Sequence, residues 1–402
     1  MNVVAQRRIA ATALVVALVV AVIVLVRNGN NGGSSPSAAS ATTLTSRVPP
    51  SAPRTTAPAP PTTTTTPLPP AIDRPLSLEK TITGAISPKS VDATGTGLVF
   101  AQNMMYRHTV TVYDRDGALV KTIPDSVDLA QFGYPGHAGL SRGAPVEGAV
   151  SPDHKYFYVT NYSMYGDNFG PEGSDNCSGP SGLSPSYAYR INLKTLAIDG
   201  VAQVGMVPKY IAVTPDNKYV LVTNWCSYDL SVIDRATFKE VHRIPLGSYP
   251  RGIVVNPGST VAYVAVMGST DIARVDLGNF SVGWFRGVGQ SPRHVVLSPG
   301  GQFLYATLNG EGHVVKLDTN SGVVLNRVTT GSAPRSMAIS SDGSALYVVN
   351  YESNTVSKLR AADMSVVQTV DVPSHPIGIT YEPLTHRVWV ACYSGEILMF
   401  NA

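Results

Sequence analysis

A proline-marked repeat constrains this chain more than any other feature of it. Pro208, Pro250, Pro292, Pro334 and Pro376 stand 42 residues apart, four of them closing Gly-x-x-Pro turns, and Pro88 and Pro145 precede them as earlier members of the series. Twenty-six residues beyond five of these prolines a β-rich run ends, at Asp114, Asp234, Asp276, Asp318 and Arg360. Between the landmarks lie a short strand ending in Ser/Thr-Pro-Asp/Gly, such as IAVTPD, and a second strand such as YVTN, with a further β-rich segment closing each unit. Four strands recurring every 40 or so residues cannot bury both faces of one small sheet until neighbours stack on it, so the period predicts propeller blades. Seven units are countable, which gives an all-β fold, a seven-bladed β-propeller over residues 76–402. The last unit reaches Ala402 after its third strand, and LEKTIT, at 78–83, has the pattern of an orphan fourth strand. Pairing of the two chain ends would close the ring and remove its exposed edges.

The second strands YVTNY (158–162), LVTNW (221–225) and YVVNY (347–351) resemble the YVTN-type β-propeller repeat over residues 78–402. Such scaffolds serve both as binding modules and as enzymes, so the resemblance speaks for fold and leaves function open.

The segment ahead of the repeats differs in kind. Ile9 to Val26 are eighteen residues drawn only from Ile, Ala, Thr, Leu and Val, flanked by Arg7, Arg8 and Arg27, long enough to cross a hydrocarbon core as a helix. Residues 9–26 are expected to form an uncleaved signal-anchor, with 1–8 cytoplasmic and the remainder extracytoplasmic, in a single-pass cell-membrane protein. Cleavage near Ala39 and a twin-arginine signal at Arg7 and Arg8 are the alternatives. Between 48 and 70 there are nine prolines and seven threonines, a composition that cannot bury enough apolar surface to fold. Residues 27–75 therefore read as a disordered Pro/Thr/Ser-rich stalk, its 23 richest positions spanning roughly 70 Å if extended.

A net charge of +3 over 402 residues argues against a nucleic-acid partner, so charge matters only locally. In a propeller the first strand of each blade lines the channel. The connection into it and the turn between strands two and three lie on one face. The residues that open the first strands at that mouth are Lys89, Val146, Lys209, Arg251, Arg293, Arg335 and Ile377, five of the seven basic. The same-face turns add Tyr162, Trp225, Tyr351 and Tyr393, and Glu147 is the acid immediately beside the ring. Two like charges 8 Å apart repel by roughly 0.5 kcal/mol in water and about 2 kcal/mol at an effective dielectric of 20. Five such charges favour a bound anion or nearby acids, although arginines that bond carbonyls of the next blade would give the same pattern. Both departures from the period, fifteen extra residues between Pro124 and Ala144 and twenty-one after Tyr162, should overhang the ring.

Three cysteines leave one over after any pairing. Cys177, in the longer insertion, and Cys226, in the same-face turn of the next blade, are the candidates for a disulfide, and Cys392 reads as buried. The histidines lack metal-ligand spacing, the stretch from Gly166 to Asp175 lacks that of an EF-hand, and no cofactor is expected. Two functions remain. One is a binding module for an anionic small molecule, glycan or peptide. The other rests on Pro292-Arg293-His294 and the VVLSPGGQFLYA that follows, which look like the motif of lactonase-type propellers. That resemblance implies a lactone hydrolase in which His294 is the general acid or base and Arg293 with Arg251 binds a carboxylate.

Overall fold

A computed structural model describes residues 68–170, 176–177 and 182–402. The expected membrane helix and the stalk as far as residue 67 lie outside the described residues, and no helix among the described ones is long and apolar enough to cross a membrane.

Seven sheets follow one another along the chain, six of them four-stranded and one five-stranded. Pro208–Val213, Tyr219–Asn224, Asp229–Asp234 and Lys239–Pro245 make up blade three, and each regular blade repeats that antiparallel order. Each first strand touches the first strand of the blade on either side, so the innermost strands close a ring around the channel. Backbones approach closely there. A Cβ on Gly252 would meet Arg293 O at 2.7 Å, and one on Gly378 would meet Ser90 Cα at 2.6 Å, so only glycine fits at these two contacts. The aliphatic strand residues meet as separate clusters between neighbouring sheets, one of them built from Leu221, Leu230, Val232, Ile253, Val264 and Val275.

The ring closes as the sequence predicts. Ser77–Ile82 pairs antiparallel with Glu396–Asn401 and becomes the outer strand of blade seven, beside Arg387–Cys392 and Pro376–Glu382. The expected disordered segment, 27–75, runs too far, because Ala71–Leu76 is packed. Ala71 N–H donates to Asp342 Oδ2 at 2.8 Å, Ile72 N–H to Ser344 Oγ at 3.1 Å, and Leu76 N–H to Gln368 Oε1 at 2.8 Å. The Lys358 ammonium donates to the Ala71 and Arg74 carbonyls, and Ala71 and Leu76 are buried. Asp342 and Ser344 sit in the connection between the first and second strands of blade six. The chain thus enters the propeller on the face opposite the mouth.

Blade two carries both insertions. Its first two strands, Ser141–Val150 and Tyr156–Tyr165, run ten residues each, and the short strand Ser126–Val127 pairs with Arg142 and Ser141 at their far end. A satellite core of Val127, Leu129, Met164, Tyr187 and Tyr189, with Phe132, Tyr134 and Phe169 against it, holds this extension together.

Candidate functional site

Why the basic residues reach the mouth is visible in the strand register. In blade three the pairing slips between Pro208 and Tyr210, and equivalent slips follow Pro145, Pro250, Pro292, Pro334 and Pro376. The residue after the proline is therefore a bulge, and bulges re-aim a side chain out of the pleat. The residue before the proline adds to this: Val207, Tyr249, Ser291, Ala333 and His375 all have left-handed backbone, with φ of 54°, 64°, 52°, 52° and 58° in turn. Such conformations are costly for β-branched and bulky side chains and persist only where surrounding structure enforces them. The threonine of the YVTN motif contributes to that enforcement. Thr223 Oγ1 accepts from Tyr210 N–H at 3.1 Å and donates to the Arg251 carbonyl of the next blade at 2.7 Å. Thr307 does the same for His294 and Arg335.

These elements enclose a cavity of about 590 Å³ at the channel mouth. Lys89, Lys209, Arg251, Arg293 and Arg335 all line it, together with Tyr162, Trp225 and Tyr393. The structure thus brings together eight of the residues singled out in the sequence. Two others lie just outside. Tyr351 is a platform for Arg335, whose guanidinium carbon stands 3.3 Å from the ring centroid. Glu147 is buried beneath, accepting from Lys89 Nζ at 2.9 Å with Arg251 Nη2 at 4.0 Å. Burial, offset in part by Glu147, lowers the Lys89 pKa from 10.5 to about 8, with Arg251 and Arg293 pushing the same way. Lys209 lies over the Tyr162 ring at 4.1 Å and the Trp225 ring at 5.2 Å.

Arg293 stands apart. Arg293 is nearly buried, at 6% exposure, and among the described residues its one side-chain hydrogen bond is a long one, 3.9 Å from Nη1 to Met267 Sδ. No carboxylate among the described residues comes within ion-pairing distance of it or of Arg335. Desolvation first, then Arg251 and Arg335, hold the Arg293 pKa well below its ordinary value.

His294 does not reach the cavity. It is buried one residue further along the strand, where Met337 N–H donates to Nδ1 at 3.2 Å and Nε2 meets the Tyr210 hydroxyl. With Nδ1 accepting, the ring proton sits on Nε2 and is donated to Tyr210 Oη. Burial, then Arg251 and Arg293, lower its pKa from 6.5 to about 3, so the imidazole is neutral. Tyr210 comes from blade three and His294 from blade five; Gly252, at the equivalent place in blade four, leaves nothing between them. Cys177 and Cys226 form a disulfide, which ties the blade-two insertion to the same-face turn of blade three, and Cys392 is a buried thiol. Among the described residues no three His, Cys, Asp or Glu side chains gather as a metal site.

Met104 and Met267 also line the cavity, and the sequence reading passed over them. They occupy the repeat position of Tyr162 and Trp225, directly after the second strand, so position rather than aromatic character would have found them. Met105, Tyr106, His108 and Tyr165 complete that wall.

Fold and site together define a seven-bladed β-propeller whose basic mouth is flanked by an extended blade. A family model described as lactonase, 7-bladed beta-propeller matches residues 287–370, the stretch that holds blades five and six, so the chain resembles lactonase-type propellers there. No curated protein matches the chain. Among solved structures it is similar to a chain of the Kuenenia stuttgartiensis hydrazine synthase, at 18% identity and a TM-score of 0.63, over 80% of this chain and 97% of that one. At that identity the likeness concerns the fold.

Proposed function

We propose that this propeller is a binding module that holds an anionic small molecule, glycan or peptide group in the mouth cavity. One observation carries the reading: Arg293 is a desolvated guanidinium facing a cavity with no carboxylate partner among the described residues. An isolated buried charge is expensive, and an oxyanion seated between Arg293 and Arg335 would relieve that cost with charge-assisted hydrogen bonds. Calorimetry with acidic sugars, phosphates and dicarboxylates tests it. Arg293→Met should weaken anion binding by roughly tenfold to a hundredfold. It should leave Tm unchanged or raised, because an apolar side chain of similar volume costs less to bury than an unpaired charge. If the wild type binds no anion and the variant melts well below it, Arg293 is a strut between blades.

The family match at 287–370 favours lactone hydrolysis as the second reading. Both ring nitrogens of His294 are engaged below the cavity, so His294 could assist only through Tyr210. Lactone turnover that His294→Ala abolishes would put hydrolysis first.

We also propose that residues 9–26 anchor the chain in the cell membrane with the propeller on the extracytoplasmic side. The uncharged, almost wholly apolar run of eighteen residues supports this, as does the Cys177–Cys226 disulfide, a bond that persists in oxidising compartments.

A further inference from the structure

The mouth cavity has two unlike sides. Arg251, Arg293 and Arg335 come from blades four, five and six, and across the ring from them stands the blade-one turn that carries Met104, Met105 and Tyr106. Lys89 also belongs to blade one, but its ammonium is turned down onto Glu147. The blade-one turn presents apolar surface in an unusual way. Tyr106 is 85% exposed, sits on left-handed backbone at φ 65°, and has no ring partner among the described residues. Met105 beside it is exposed as well. A large aromatic held on strained backbone at the lip of a cavity is placed for contact rather than for packing. The flexible, polarisable thioethers of Met104 and Met105 can settle against a ring of varied shape. The volume of about 590 Å³ is that of a small-molecule site.

We propose that the ligand is an amphiphilic oxyanion, a carboxylate or phosphate carried on a flat apolar body such as an aryl group. Its head would lie against Arg293 and Arg335 and its body against Met104, Met105 and Tyr106. This rests on the anion-binding reading and narrows it, since a purely polar anion would leave the blade-one side without a partner. The body supplies apolar burial and the arginines supply orientation.

Calorimetry on the full chain in mild detergent, with acetate, phenylacetate, phenylacetamide, phosphate and phenyl phosphate, tests the proposal. Each aryl acid should bind at least roughly tenfold tighter than its bare head. A Met105→Ala, Tyr106→Ala double variant, altered only on an exposed turn, should lose that gain and keep the wild-type affinity for the bare heads. Equal affinity of aryl acids and bare heads, or a gain that survives the double variant, overturns the amphiphile and leaves anion binding standing. Phenylacetamide binding as tightly as phenylacetate, or no binding of any probe, overturns both.

Discussion

With a backbone amide on one ring nitrogen and a phenol on the other, His294 stays neutral in the folded protein down to about pH 3, whereas the unfolded chain takes up its proton near 6.5. Between those values the unfolded state binds more protons, so stability falls as pH falls through that window, by up to about 1.4 kcal/mol per pH unit for this one group. Urea denaturation of wild type and His294→Gln between pH 4.5 and 7 checks it: the wild-type profile should be the steeper, and parallel profiles would count against the buried neutral ring. Lys209 and the three arginines were legible at this scale because a bulge recurs after each of the prolines spaced 42 residues apart, so the period locates the side chains. The burial of His294 was not legible. The position after the bulge faces the neighbouring first strand, and whether a histidine there is exposed depends on Tyr210, which lies 84 residues away.

Among the elements, the extended blade two is the one the sequence located without describing. Its excess length was readable from the period, but its strand Ser126–Val127 and the satellite core around Leu129 and Tyr187 arise from contacts that no local pattern announces. The disulfide is the covalent tie between this extension and blade three. A closed loop of 49 residues sets a ceiling of about 4 kcal/mol on its entropic stabilisation. Most of that loop consists of strands from Tyr187 to Asn224 that already pack in blades two and three, so the realised effect should be smaller and local. Replacing both Cys177 and Cys226 with serine should speed limited proteolysis in the blade-two extension while Tm shifts by no more than a few degrees. A large drop in Tm would mean that the bond holds the propeller itself together.

At the scale of the whole molecule, closure depends on a strand from the far end of the sequence. Removing residues 71–84 strips the outer strand from blade seven, exposes Phe400 and Met399 along a bare edge, and discards the buried side chains of Ala71, Leu76 and Ile82. Burial of the leucine and isoleucine alone is worth roughly 3–6 kcal/mol. That truncation should lower Tm by about 5–10 °C, while removal of everything up to Pro70 should leave it unchanged. Equal melting temperatures would refute closure by the N-terminal strand. The orphan strand was readable because the last unit stops one strand short, whereas the clasp at Ala71–Leu76 was not, since its hold depends on Asp342, Lys358 and Gln368 in blade six rather than on any pattern of its own. The position of that clasp fixes a direction. Because Ala71–Leu76 packs on the side away from the cavity, a biosensor surface that captures the chain truncated to begin at Pro70, through that new end, holds the propeller from behind and leaves the cavity turned toward the flowing analyte.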